Sequence, residues 1–259
     1  MSSETFLDKK SLKKLDNQLQ KMITRTGLDR KTEDEVFDKA TLRALEKLIS
    51  DRVIDILDFP ISTGKEGNVF RGITPDNKFV AVKIYRVNTS TFKHIAEYIV
   101  GDPRFESFHK NRKDIIYAWT QKEFKNLERL KKYNILSPKP IVYYKNVLVM
   151  QYLGDSGAPA PMIKDVKIQN PEKVFEKIIE YMTVMYQKAR MVHSDLSPFN
   201  ILYYRKKPYL IDLGQGVLLE HHNSDEFLKR DIKNMVKFFK KYGIQADEDK
   251  IYNEITIKK

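Results

Sequence analysis

The chain has 259 residues, 41% hydrophobic and 32% charged, enough apolar material for one large domain or two lobes and too much for a disordered chain. It has no cysteine, which excludes disulfides, thiolate zinc sites and cysteine nucleophiles and fits a reducing, cytoplasmic setting. Its 47 Lys and Arg against 35 Asp and Glu give a net charge of +12, suited to nucleic acid, ribonucleoprotein or a nucleotide, though a solvated surface explains such a charge equally well. The opening "MSSETFLDKK" lacks an apolar signal region, and the apolar runs are too short and interrupted to cross a bilayer, so no membrane partner is expected.

In chain order, residues 1–57 read as helices. Leu12, Leu15, Leu19, Met22 and Ile23 recur at three- and four-residue spacings, as do Ala40, Leu42, Leu45 and Leu48. Between them Gly27 can end one helix and Thr32 or Asp34 can cap the next, and a small winged-helix-like module would suit the pattern. Residues 58–62, 68–73 and 79–85 read as an antiparallel meander, with hairpin chemistry in "TPDN" (74–77). A basic stretch over 86–113 precedes a helix over 114–132, with Ile115, Ile116, Trp119, Phe124, Leu127 and Leu130 on its apolar stripe. "SPKPIVYYKNVLVMQYL" supplies two more strands, and "GDSGAPAP" (154–161) reads as the hinge exit between two lobes. A helix over 171–190, a short strand in "YLIDLGQG", and a closing helix capped by Ser224 and stopped by Gly243 complete the chain. The expected division is a helical region over 1–57, a sheet lobe over 58–150 and a mainly helical lobe over 151–259.

Three motifs carry the chemistry. "STGKEGNVF" (62–70) lies between two predicted strands, where glycines let main-chain N–H groups approach an anionic ligand. It is not a Walker loop, because the Gly-x4-Gly-Lys-Ser/Thr order is missing and no helix follows. Lys83, in the apolar strand "VAVKIY", can orient the α- and β-phosphates and pair with a helix carboxylate. Glu123 is the candidate partner and Glu128 the runner-up. Third, "HSDLSPFN" and "LIDLGQG" set Asp195, Asn200 and Asp212 in the order that metal-assisted phosphoryl transfer needs: a carboxylate for the attacking hydroxyl, then an amide oxygen and a second carboxylate for Mg²⁺. Singly, each is as readily a turn or cap residue. The full ordered set is hard to obtain by coincidence.

On these residues the chain resembles the protein-kinase-like fold, and more narrowly the first subfamily of the RIO family of atypical serine/threonine protein kinases, with an archaeal source expected. "STGKEGNVF" is similar to that family's phosphate loop, and "VHSDLSPFNIL" and "LIDLGQGV" to its catalytic and metal loops. The resemblance covers nearly the whole chain. It implies a bilobal α+β fold: an antiparallel sheet lobe, a truncated helical lobe and a helical extension before them. It also implies ATP with Mg²⁺ or Mn²⁺ as cofactors, bound between the lobes. Asp195 would be the catalytic base, Asn200 and Asp212 the metal ligands, and Lys83 the phosphate anchor. Ile61, Ser62, Thr63, Gly64, Lys65, Glu66, Gly67, Asn68 and Val69 would line the phosphates, with Glu123 supporting Lys83. Gln151 and Leu153, after Met150, would meet adenine. Members are described as ATPases that form an aspartyl-phosphate, here at Asp212, and that act in maturation of the small ribosomal subunit, which makes pre-ribosomal RNA a partner.

The departures from ordinary kinases also inform. Ser194 stands where an Arg usually grips an activation-loop phosphate, Ser197 where a phosphate-binding Lys usually stands, and Leu213 where a Phe is usual. No Ala-Pro-Glu follows Asp212, so a long activation segment and peptide-docking subdomains are not expected, and ATP hydrolysis or self-phosphorylation is favoured. Thr89, Ser90, Thr91 and Ser107, in the stretch between Lys83 and Glu123, are candidate self-phosphorylation sites. Two other readings stand beside this one: a nucleotide-binding ribosome assembly factor with little catalysis, and a small-molecule kinase.

Overall fold

Alternation in "FVAVKIY" divides β3 (Phe79–Tyr85) into two faces, as the period of two along a strand requires. Val80, Val82 and Ile84 join Phe70, Val147 and Val149 in one buried cluster. The helix α1 (Lys39–Ser50) covers that cluster with Ala44, Leu45 and Leu48. Lys83 belongs to the other register of the strand. The computed structural model describes residues 36–64, 67–87, 111–155 and 157–257, with Lys13, Asn17, Ile95, Tyr98, Ile99, Asp102 and Arg104. The expected first helix, its stop at Gly27 and the caps at Thr32 and Asp34 lie outside the described residues, apart from Lys13 and Asn17, which are helical. Asp38 opens α1 instead, its carboxylate accepting from the Thr41 N–H at 2.8 Å.

The chain divides into two compact units. The first holds a five-stranded sheet ordered β1-β2-β3-β5-β4. Its strands are β1 (Ile56–Thr63), β2 (Gly67–Ile73), β3, β4 (Pro140–Tyr144) and β5 (Val147–Gln151). The first three strands pair antiparallel, as the meander requires. Asn146, in the β4–β5 turn, donates to the Thr41 hydroxyl at 2.7 Å and the Tyr85 carbonyl at 2.8 Å, which ties α1 to the sheet. A long helix, α2 (Arg112–Lys132), contributes its first turns to this unit and residues 121–132 to the second.

The second unit is mainly helical. The helices α3 (Pro171–Gln187), α4 (Ser224–Lys240) and α5 (Glu248–Thr256) pack through Val174, Phe175, Ile178, Met182, Ile232, Met235, Phe239, Ile251 and Ile255. Proline at the first position of α3 costs no hydrogen bond there. The helix ends at Gln187, short of residue 190, because the chain must turn: Arg190 takes a left-handed φ of 54°. Ser224 does not act as the side-chain cap of α4. Its hydroxyl donates back to the Leu219 carbonyl at 3.0 Å, and Asn223 occupies the cap position. Gly243, after α4, has the expected positive φ of 83°. The helix α5 has no counterpart in the sequence reading, and Gln187 caps it by donating to the Ile255 and Ile257 carbonyls.

Four short strands complete this unit. β6 (Met191–Val192) pairs with β9 (Val217–Leu218), and β7 (Ile201–Tyr204) with β8 (Lys207–Leu210). The strand expected in "YLIDLGQG" (209–216) is only the end of β8, with Asp212 in the loop between β8 and β9.

Candidate active site

In the first unit, the glycine loop closes β1 onto β2. The Gly64 N–H donates to the Gly67 carbonyl at 3.0 Å, and Thr63 pairs with Asn68, Ser62 with Val69. Gly67 has no substitute: a Cβ there would lie 2.4 Å from the Ile84 carbonyl oxygen on β3. Ser62, Thr63 and Gly64 are exposed and Ile61 is half-buried. Lys65 and Glu66 lie outside the described residues. The Asn68 side chain is buried and accepts from Arg86 at 3.2 Å.

Across the β2–β3 ladder Val69 is the direct partner of Lys83, which pairs on its other side with Leu148 of β5. The register thus sets the half-buried lysine one strand away from the loop. Met150 and Gln151 end β5 opposite Ala81 and Val80. Leu153 is buried, its carbonyl accepting from the Ala160 N–H at 2.9 Å.

In the second unit two loops carry the carboxylates. Residues 193–200 leave β6 and enter β7; residues 211–216 leave β8 and enter β9. Each loop is tied at both ends, because β6 pairs with β9 and β7 with β8. The β7–β8 hairpin returns the chain beside Asn200, and the Ile211 N–H donates to the Asn200 carbonyl at 3.0 Å. The Asn200 side chain points the other way: its Nδ2 donates to the Asp195 carboxylate and to the Asp195 carbonyl, both at 2.8 Å. One asparagine therefore joins Asp195 to the residue before Asp212. Asp212 has a left-handed φ of 61°, and Ser194 one of 68°. Neither is glycine, so each conformation costs about 1 kcal/mol or more and must be held by its surroundings.

For Ser194 the support comes from α4. Asp231 accepts from the Ser194 and Leu196 N–H groups, each at 2.8 Å, and Arg230 donates to the Ser194 carbonyl. Asn234 adds a bond to the Leu196 carbonyl at 3.0 Å. Burial pushes the Asp231 carboxyl up to about 8, while its two N–H donors and Arg230 pull in the opposite direction. Sequence reasoning missed this residue. The signal available was a carboxylate inside the apolar stripe Leu228, Ile232, Met235.

His193 is buried, and its Nε2–H donates to the Ile211 carbonyl at 3.1 Å, since a carbonyl can only accept. Its Nδ1 has no partner among the described residues, and burial pushes the imidazole down to about 4. It stays neutral at pH 7 and acts as a rigid spacer between the two loops. Glu123 is buried on α2 whereas Glu128 is exposed, which separates the two candidates for the helix carboxylate. Only eleven residues, 213–223, separate Asp212 from α4. Thr89, Ser90, Thr91 and Ser107 lie outside the described residues.

A small sheet with a glycine loop and a strand lysine, and a helical unit with two strand-tied acidic loops, define the protein-kinase-like fold. The comparisons narrow this class. Residues 68–251 match the RIO domain model. A RIO-type serine/threonine-protein kinase Rio1 of Haloferax volcanii is 43% identical over 226 residues, covering 87% of this chain and 78% of the relative. The Rio1 of Thermoplasma acidophilum is 45% identical over 190 residues, 73% of this chain and 100% of its own. The crystal structure of a Rio2 kinase–ADP/Mg²⁺–phosphoaspartate complex from Chaetomium thermophilum has a TM-score of 0.63 at 18% identity, over 82% of this chain and 65% of that one. The chain belongs to the RIO family and is an atypical serine/threonine protein kinase of the Rio1 type. Among the described residues no helix is long and apolar enough to cross a membrane.

Proposed function

We propose that this kinase transfers the γ-phosphoryl group of ATP, with Mg²⁺ or Mn²⁺, to itself, to a protein hydroxyl or to water, and that it works in maturation of the small ribosomal subunit. The observation that carries the chemistry is the pair of hydrogen bonds that Asn200 donates to Asp195 together with the one its carbonyl accepts from the Ile211 N–H. Phosphoryl transfer is mainly positioning and charge stabilisation, and this arrangement fixes the base and the metal loop to each other.

In this reading Lys83 and main-chain N–H groups of residues 61–69 hold the phosphates, and Glu123 supports Lys83. The backbone of Gln151 and Leu153 meets adenine. Asp195 orients the attacking hydroxyl or water. The donor set fits a hard divalent cation: Asn200 spends its Nδ2 on Asp195, leaving the amide oxygen as the donor, and Asp212 adds a carboxylate. Such a cation neutralises the phosphates when bound. The Chaetomium relative is described with a phosphoaspartate, and Asp212 is the residue proposed to form one here. Its carboxylate oxygen attacks the γ-phosphorus, the bond to the bridging oxygen breaks, and ADP leaves. The net charge of +12 supports an RNA-rich partner.

The test is a labelled γ-phosphate assay that separates free phosphate, self-phosphorylation and transfer to a generic protein. Asp195→Ala should abolish turnover and leave ATP binding within a few-fold of wild type; unchanged turnover rejects the assignment. A phosphoenzyme that hydroxylamine cleaves supports Asp212 as acceptor, and a hydroxylamine-insensitive one rejects it. RNA affinity that falls steeply with salt supports the ribosomal role; no RNA binding at low salt counts against it.

A further inference from the structure

The loop after Asp212 folds into a turn in which the Gly216 N–H donates to the Leu213 carbonyl at 3.1 Å. Two side chains one helical turn apart on α2 hold the carbonyls of that turn. Lys122 donates its Nζ to Gly214 O at 2.8 Å and to Gly216 O at 2.6 Å. Asn126 donates its Nδ2 to Leu213 O at 2.8 Å and to Gly216 O at 2.9 Å. Both residues are 0% exposed. The Asn126 amide is itself oriented, because Arg104 donates to its Oδ1 at 2.9 Å. Arg104 is held in turn by the buried carboxylate of Asp102 at 2.8 and 2.6 Å. There is no slack at the contact: a Cβ on Gly216 would lie 2.9 Å from the Asn126 Nδ2 and 3.1 Å from the Leu213 carbonyl oxygen.

A fully buried amine is expensive, and apolar residues of like volume usually stabilise a core as well or better. Two Lys122 hydrogen bonds go to main-chain oxygens two and four residues beyond Asp212. The structural product of the cluster is the path of the main chain that leaves Asp212, a residue whose φ of 61° an unsupported chain would relax.

We propose that Lys122 and Asn126 are positioning residues that aim the Asp212 carboxylate at the divalent cation, and so set the affinity for metal-bound nucleotide without touching the nucleotide. The inference rests on Asp212 being the metal ligand. The three carbonyls they hold come from one turn, so losing either side chain lets that turn, and Asp212 with it, sample other conformations. Arg104 and Asp102 extend the device into the stretch between β3 and α2.

The experiment is calorimetric titration of the full chain with ADP, in EDTA and across a Mg²⁺ series, for wild type, Lys122→Met, Asn126→Ala and Asp212→Ala, each checked by thermal melt. Lys122→Met and Asn126→Ala should bind ADP in EDTA within about twofold of wild type. The Mg²⁺ concentration that gives half the enhancement of ADP affinity should rise at least tenfold. If Lys122→Met does not fold, Asn126→Ala decides. Asp212→Ala should lose the enhancement altogether. If it does, and the folded α2 variants keep the wild-type Mg²⁺ response, the positioning role is wrong while Asp212 stands as ligand. If Asp212→Ala keeps the enhancement, the ligand assignment fails and takes the positioning role with it.

Discussion

Asp231 on α4 accepts the N–H groups of Ser194 and Leu196, so a single buried carboxylate grips the main chain on both sides of Asp195. The grip explains how Ser194 keeps a left-handed φ without being glycine. The position is buried, and α4 holds it through its main-chain N–H and carbonyl.

Asp231→Ala should therefore cost more than a cavity. It leaves two buried N–H groups unsatisfied, each worth about 1–3 kcal/mol. We expect a loss of roughly 2–5 kcal/mol in denaturant unfolding and at least a tenfold fall in turnover. Asp231→Asn, which retains an acceptor oxygen, should fall between. A variant as stable and active as wild type would show that the loop holds its own shape.

Asn200→Ala should act on rate with little effect on stability. It removes the bonds to Asp195 and the amide oxygen while the main-chain bond from Ile211 remains. Turnover should drop by about 100-fold, as expected when a positioned group is freed, with a thermal midpoint close to wild type. Assaying labelled phosphate release over a Mg²⁺ series checks this; wild-type turnover at low Mg²⁺ would remove Asn200 from the site.

Gly67→Ala should strain the β2–β3 ladder, because the new methyl meets backbone, which cannot swing away. A lower melting temperature and ATP binding weakened about tenfold are expected, which corresponds to roughly 1.4 kcal/mol. Gly157→Ala is the control, since a Cβ there meets nothing within 4 Å. Equal behaviour of the two variants would refute the steric argument.

His193 predicts a pH dependence of stability. Its folded pKa is about 4, below the unfolded value near 6.5, because burial disfavours the imidazolium. The unfolded chain therefore binds more protons between these values. The neutral ring's contribution is complete above pH 6.5 and is lost as pH falls toward 4, about 3 kcal/mol in all. Unfolding curves from pH 7 to 4 should show this slope, and His193→Gln should flatten it. An unchanged slope in the variant would assign the effect to other groups.

The first three strands, the long helix α2 and the strand pair before the Gly/Pro stretch were legible because their patterns are local: period two in "FVAVKIY", helical spacing from Ile115 to Leu130. The acidic loops were legible as motifs but not as geometry. Nothing in the spacing of Asn200 and Asp212 says that a four-residue hairpin ladder brings the chain back beside Asn200. Two-residue strands such as β6 and β9 are too short to leave a periodic trace. The cap at Ser224 failed because its hydroxyl found the Leu219 carbonyl first, a competition that only the folded turn decides. Asp231, Lys122 and Asn126 were read past because a polar residue on an apolar stripe gains meaning only from the carbonyls and N–H groups it meets.

By itself the sequence determined which side chains could do phosphoryl transfer and in what order they come, because those residue types are set by the chemistry. It also placed Lys83 inside the apolar strand "VAVKIY". Only the tertiary structure decided how Ser194 and Asp212 hold strained backbone, which carboxylate on α2 is buried, and that the chain passes from Asp212 to α4 in eleven residues. These are matters of long-range hydrogen bonding and burial. A buried N–H or carbonyl must find a partner wherever the fold brings one, and the distance along the chain does not enter that requirement.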